Sequence, residues 1–397
     1  MLQEFRVDNY KSFINVTFRP QDMNLLIGLN NSGKTTLCQA MRFVAATASI
    51  SLDQCADNLA GGRVGITNHF FDKPTTDFFI RATIPHQDEK LTFEYELTIL
   101  PPKNYGVGAT LTVEKEKLTV TGGKFENTIL LENTQDKVRL LHENDYLKGD
   151  TNYIETTAPR DVTMLNRLYE LETNTRANRF KRYLNIVWYY DFSIASLKGS
   201  SHKPNEFFLN IDGSNLSSVI YRLKTSNERD YRKLLKYIQI IEPKIDVINF
   251  QVASENNVFM YFEDAEGHSL PAWNASNGTL RFLAMIYALF VQPQLLNITP
   301  IADMTPLLMI EEPENGIYVG FLKDLLEISK LSPKRPQVIF TSHSPYFIDL
   351  FDEHIEGIFV LNRGKQHSTI TQPDPEKVKL HLENYPLGEQ HFREMLG

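Results

Sequence analysis

Eight residues near the N-terminus, Gly28-Leu29-Asn30-Asn31-Ser32-Gly33-Lys34-Thr35, fit the pattern G-x-x-x-x-G-K-[ST]. An apolar run at 24–27 precedes them and a helical stretch at 35–47 follows, which is the context a phosphate-binding loop needs. The two glycines permit a tight backbone curl that turns successive N–H groups inward onto phosphate oxygens. The helix start adds its positive end. In that arrangement Lys34 reaches the β- and γ-phosphates and the Thr35 hydroxyl ligates Mg²⁺. Gly28, Asn30, Asn31, Ser32, Gly33, Lys34, Thr35 and Thr36 are the candidate ATP-contacting residues.

Residues 307–310 form a second apolar run, ending in Glu311 and Glu312. A buried strand can present carboxylates only at its end, where they meet a cation or a water. Beside the phosphate loop, Glu311 falls near the Mg²⁺ shell and Glu312 is placed to take a proton from an attacking water. A third run, 338–340, leads into Thr341-Ser342-His343-Ser344-Pro345. His343 lies 31 residues after Glu312, room for one crossover helix, so both strand ends would face one edge of a parallel sheet. An imidazole there could contact a γ-phosphate. The catalytic candidates are Glu312, His343 and Lys34, and the metal candidates are Thr35 and Glu311.

These residues need elements to hold them. Short strands are expected at 4–7 and 14–18, with longer period-two strands at 78–84 and 91–100. More strands are expected at 109–113 and 117–121, with Gly122-Gly123 as a turn, and at 186–192. Residues 134–183 read as polar and helix-compatible, with Leu165, Leu168, Tyr169 and Leu171 as one apolar face. Helices are expected at 216–223, 231–241, 279–291 and 319–330. A hairpin is expected at 247–252 and 258–262, around Glu255, Asn256 and Asn257. The order strand–loop–helix, a long excursion, then helix–strand–helix–strand predicts a mixed α/β sheet whose sequence is interrupted. The expected division is 1–84, an insertion at 85–184, a second lobe at 185–371 and a tail at 372–397.

Composition sets the limits. The 397 residues are 42% apolar and 23% charged, which excludes a disordered, collagenous or coiled-coil chain. A net charge of −8 argues against a general nucleic-acid glue. Two basic groups, Arg176 with Arg179, Lys181 and Arg182, and Arg229 with Arg232, Lys233 and Lys236, could still contact DNA phosphates. Two cysteines, Cys38 and Cys55, cannot build a disulfide framework or a cysteine-rich zinc site. The charged opening does not read as a secretory signal. The best apolar run, 282–291, is half the length a bilayer needs. A cytoplasmic protein without membrane contact is expected.

Taken together, GLNNSGKT, LLMIEEPENG and VIFTSHSP resemble the nucleotide-binding head of the ABC/SMC/RecF class of ATPases. They look closest to AAA-family ATPases related to OLD proteins. The opening FRVDNYKSFINVTF resembles that family's first strand pair, and residues 212–216 resemble a recurrent second-lobe segment. Ser276-Asn277-Gly278-Thr279-Leu280-Arg281 resembles its form of the ABC signature, though these residues also suit a plain helix N-cap. The resemblance implies an α/β fold: an ABC-type P-loop NTPase head with a mixed β-sheet core, an antiparallel β lobe and a helical insertion. It further implies ATP and Mg²⁺ as ligands and a head-to-tail homodimer or higher oligomer. In that dimer Ser276 and Gly278 of one copy face the triphosphate held by the other.

Some features depart from the family pattern. Glu311 stands where an aspartate is usual, and Tyr318-Val319 where a histidine–proline pair is common. The Q-loop glutamine has no evident counterpart. Only 54 residues follow His343, with scattered acids, too little for a TOPRIM metal nuclease. The resemblance thus implies an ATPase without its own nuclease, as in bacterial anti-phage defence, where a separate nuclease or toxin acts. Two alternatives stay open: a nucleotide-gated scaffold with negligible turnover, and a RecF-like DNA-repair ATPase.

Overall fold

The computed structural model describes all residues except 103–108, 136, 169–174, 203–205, 254–256, 394 and 397. Tyr169, Leu171, Glu255 and Asn256 lie outside the described residues.

The chain opens with β1 (Leu2–Asp8), β2 (Val16–Phe18) and β3 (Met23–Ile27), and β3 feeds the helix Lys34–Thr47. Then come β4 (Thr76–His86), β5 (Glu89–Leu100), β6 (Thr112–Gly122), β7 (Phe125–Thr134), β8 (Lys137–Leu141) and β9 (Tyr153–Thr157). After the helix Thr175–Leu184 come β10 (Val187–Tyr190) and β11 (Ser201–His202). Helices Leu216–Ser226 and Glu228–Ile241 precede β12 (Val247–Val252), β13 (Asn257–Glu263) and β14 (Ser269–Pro271). The last part holds helix Asn277–Ile286, β15 (Leu307–Glu311), helix Val319–Leu331, β16 (Gln337–Ser342) and helix Pro345–Asp349. It ends with β17 (Ile358–Arg363), β18 (Ser368–Thr371) and helices Pro375–Leu382 and Leu387–Phe392.

Among the described residues, three sheets result. An eight-stranded antiparallel sheet runs β2-β1-β4-β5-β6-β7-β8-β9 and crosses position 85 without a break. A six-stranded sheet runs β10-β15-β16-β3-β17-β18, parallel except for its last pair. The third runs β11-β13-β12, with β14 on β13.

The six-stranded sheet explains why its strands read as unbroken apolar runs: both of its faces are covered. Leu26, Met309 and Ile339 enter the core shared with the eight-stranded sheet. Their neighbours Leu25, Ile27, Leu308, Ile310, Val338 and Phe340 enter the core on the other side. Successive side chains alternate between faces, as the pleat requires. Leu25, Leu26 and Ile27 are fully buried, each stabilising the sheet by about 1.5–3 kcal/mol. The registers pair Glu311 with Thr341, and Ser342 with Ile27. Three strand ends therefore meet at one edge, with β16 lying between the phosphate-loop strand and the carboxylate strand.

Several expectations need correction. Residues 134–183 are not simply helical; β8 and β9 extend the large sheet there. The segments 109–113 and 117–121 belong largely to one strand, β6. Glu116 interrupts its apolar pattern because it is a buried carboxylate, accepting from Tyr95 Oη at 3.0 Å, Met164 N at 2.5 Å and Leu165 N at 2.9 Å. The group around Arg176 is not an open basic patch. Arg176 pairs with Glu143 Oε2 at 3.5 Å over the Phe125 ring. Arg179 donates to the Pro85 and Pro300 carbonyls and pairs with Asp303. Lys181 Nζ donates to the Asn166 and Leu168 carbonyls. The run at 282–291 sits in a continuous helical stretch of 22 residues, Asn277–Ile298, long and apolar enough to cross a membrane by composition. Its apolar window is 83% buried, so the protein core already covers that surface.

A candidate nucleotide site at the sheet edge

The loop after β3 curls as its glycines allow. Gly28 and Gly33 have φ of 145° and 114°, and Asn31 joins them at 64°. A Cβ on Gly28 would lie 2.2 Å from the Leu361 carbonyl oxygen, so β17 leaves room for no other residue. Gly33 is the N-cap of the following helix and offers it no side-chain acceptor, and the first turn carries no acid. The helix N–H groups at this end thus lack the usual protein partner, and a bound anion can take that role. Ser32 Oγ is buried beside them without a hydrogen-bond partner among the described residues.

Lys34 Nζ folds back onto the loop, donating to Gly28 O at 2.9 Å and Leu29 O at 3.2 Å. Burial pushes its pKa down to about 8, against the opposing pull of Glu311, Glu312 and Glu314. Thr35 Oγ1 donates to Glu311 Oε2 at 2.9 Å. Glu311 Oε1 is buried with no hydrogen-bond partner of good geometry among the described residues, although Tyr189 lies near enough to act on the carboxylate. Burial raises the Glu311 pKa, and the Thr35 hydroxyl partly offsets this. A hydroxyl and a desolvated carboxylate in contact form a hard oxygen pair that fits Mg²⁺.

Glu312 has φ 41°, in the left-handed region, where a non-glycine residue carries about 1–3 kcal/mol of strain. Its N–H donates to the Thr341 carbonyl at 3.1 Å, and Asn315 Nδ2 donates to its carboxylate. His343 Nε2 stands 3.9 Å from Glu312 Oε1. Burial and then Lys34 lower the His343 pKa, with Glu312 opposing. Both lowering effects favour the neutral imidazole, which can donate one N–H.

Lys34, Thr35, Glu311, Glu312 and His343 thus converge on one edge from three strands. Leu29, Asn30 and Asn31 are exposed at its rim and Thr36 is half-buried in the first helical turn. Ser276 and Gly278 are placed differently. Ser276 Oγ caps its own helix, accepting from Thr279 N at 3.0 Å and bonding Thr279 Oγ1 at 2.6 Å. Gly278 lies against the Gly316 carbonyl, on the turn that follows Glu312. Within one chain, then, this segment packs on the carboxylate turn rather than on the phosphate loop.

Two acids went unnoticed in the sequence. Glu314 Oε1 accepts from Ser342 Oγ at 2.6 Å, His343 N at 3.2 Å and Ser344 N at 3.3 Å. One carboxylate therefore ties the histidine loop to the Glu312 turn. Asp191, just after β10, adds negative charge near Glu311. β17, whose carbonyl shapes the loop, was also missed, although its apolar run at 358–361 is a usable signal.

The profile of a family described as "AAA domain, putative AbiEii toxin, Type IV TA system" matches residues 23–349, from β3 to the helix after His343. Solved structures of SMC heads share the fold. The SMC head bound to the C-winged helix domain of ScpA superposes with a TM-score of 0.54 at 11% identity, covering 95% of this chain and 99% of that one. The Pyrococcus furiosus head, with an extended coiled coil and the C-terminal domain of ScpA, gives 0.52 at 12% identity, covering 96% and 98%. No curated protein matches the chain in sequence.

Proposed function

The chain belongs to this AAA-domain family (AAA_21), within the ABC/SMC class of P-loop ATPases, and from that premise we propose that it binds and hydrolyses ATP in a site completed by a second copy of itself. The observation that carries this reading is the convergence of Lys34, Thr35, Glu311, Glu312 and His343, while Gly278 of the same chain packs on the Gly316 carbonyl and Ser276 Oγ caps its own helix.

The loop N–H groups and Lys34 bind the triphosphate. Mg²⁺, held by Thr35 and Glu311, supplies charge neutralisation at the phosphates. Glu312 takes a proton from the attacking water, and Asn315 and the Thr341 carbonyl fix its position. His343 donates its N–H at the γ-phosphate, and Glu314 holds it in place. Ser276, Gly278 and the start of their helix come from the partner copy and close the site as an anion-binding end. Binding thus joins two heads and hydrolysis parts them.

Such a cycle would serve as a switch for a separate effector, a nuclease or toxin, in cytoplasmic anti-phage defence of the OLD-like kind. The family description, which names a toxin of a type IV system, supports that setting. The SMC heads of similar fold, each solved with ScpA, support a protein partner. A DNA contact would use Arg229 and Lys236, exposed on their helix beside Arg232, which pairs with Glu228. The test is ATP turnover by the pure protein together with its mass by light scattering. Turnover that Lys34→Ala abolishes, with ATP-dependent dimers, is expected. A monomer that binds ATP without turnover would point to the nucleotide-gated scaffold instead.

A further inference from the structure

The C-terminal tail folds back onto the nucleotide edge. Helix Leu387–Phe392 packs on helix Pro345–Asp349, which begins two residues after His343. The approach is close: a Cβ on Gly388 would lie 2.4 Å from the Pro345 carbonyl oxygen. The Gly388 N–H donates to Asp349 Oδ1 at 2.8 Å. Leu387, Val378 and Leu396 anchor the tail in the core around the six-stranded sheet. Gly388 and His391 are three residues apart and share one helix face, the face on which Gly388 meets the Pro345 carbonyl. His391 is half-buried there. Burial, then the charges of Lys34 and His343, lower its pKa.

We propose that His391 is a further nucleotide-binding residue, donating a ring N–H to the terminal phosphate of ATP and so distinguishing ATP from ADP. The proposal rests on the nucleotide-site reading above and extends it to a residue outside the matched family segment, which ends at 349. It gives the tail a purpose beyond packing: the packed tail adds one donor at the γ-phosphate end.

The experiment is calorimetric titration of a non-hydrolysable ATP analogue and of ADP, each with Mg²⁺. The proteins are the wild type, His391→Ala, His391→Phe and Lys34→Ala. His391→Ala should weaken the analogue by about tenfold, the scale of one hydrogen bond to a charged group, and leave ADP within about twofold. Equal weakening of both, or of neither, overturns the proposal. His391→Phe keeps the ring's bulk and removes both nitrogens, so the same selective loss is expected even where the alanine variant packs poorly. A wild-type ratio in the phenylalanine variant overturns the proposal as well. Lys34→Ala separates the two levels: if it loses the analogue while His391 variants bind normally, only the role of His391 falls. If Lys34→Ala binds like wild type, the site reading falls and this role with it.

Discussion

Thr35 Oγ1 donates to Glu311 Oε2 at 2.9 Å across 276 positions of the chain. The bond joins the first turn of the loop helix to the end of β15, although β16 separates the two strands. It spends one Glu311 oxygen and leaves the other buried without a hydrogen-bond partner among the described residues. A carboxylate so placed is costly in the absence of a cation. Glu311→Gln should therefore raise the melting temperature without Mg²⁺ and remove most of the further rise that Mg²⁺ with nucleotide gives the wild type. A variant that melts lower than wild type in metal-free buffer contradicts this.

Glu312→Gln keeps the shape of the turn and removes the proton acceptor. Turnover should fall by about 10²-fold or more, the usual scale for a general base, while ATP affinity stays near wild type. Single-turnover hydrolysis and nucleotide binding check both halves. A variant that turns over at the wild-type rate assigns the base elsewhere.

Glu314 makes three hydrogen bonds to the histidine loop. Glu314→Ala should cost about 1–3 kcal/mol in denaturant unfolding and slow turnover with little change in ATP affinity. Glu314→Gln, whose amide oxygen can still accept, should recover part of both. Full stability and turnover in the alanine variant would mean that the loop holds without this tie.

Burial raises the pKa of Glu116 above the ordinary carboxyl value of 4.5, against the N–H groups of Leu165 and Met164 and the Tyr95 hydroxyl. In the window between 4.5 and the raised value, the folded chain holds a proton that the unfolded chain has lost. The group's contribution to stability therefore falls as pH rises through that window. Relative to Glu116→Gln, the wild type should gain stability as pH is lowered from neutrality toward 4.5, read from paired urea melts. A difference that is flat, or that grows with rising pH, contradicts this.

Most of the residues that announced themselves in the sequence follow the end of an apolar run. Lys34 and Thr35 follow β3, Glu311 and Glu312 follow the run of β15, and His343 follows β16. An apolar run must be buried, so its end marks an edge where chemistry can meet solvent. Glu314 has no such mark. It reads as one more acid in Glu-Glu-Pro-Glu, and its role exists only once β15 and β16 pair. Glu116 misled for the opposite reason, since a buried charge breaks period two in the middle of β6. β9 was obscured because it buries little: four of its five residues are exposed. β8 is only five residues long and buries just Val138 and Leu141. His391 stands on a tail of polar residues and prolines, and only the contact between Gly388 and Pro345 shows where it goes.

Mixing two inactive variants tests the shared site most directly. Lys34→Ala removes the phosphate-loop charge, and Ser276→Arg blocks the surface offered to a partner. Each alone should hydrolyse ATP at a small fraction of the wild-type rate. Mixed in equal amounts, they can form dimers that pair the intact loop of one chain with the intact Ser276 of the other. Recovery of a clear share of wild-type turnover on mixing is the predicted result. A mixture as inactive as its parts would place the whole reaction within a single chain.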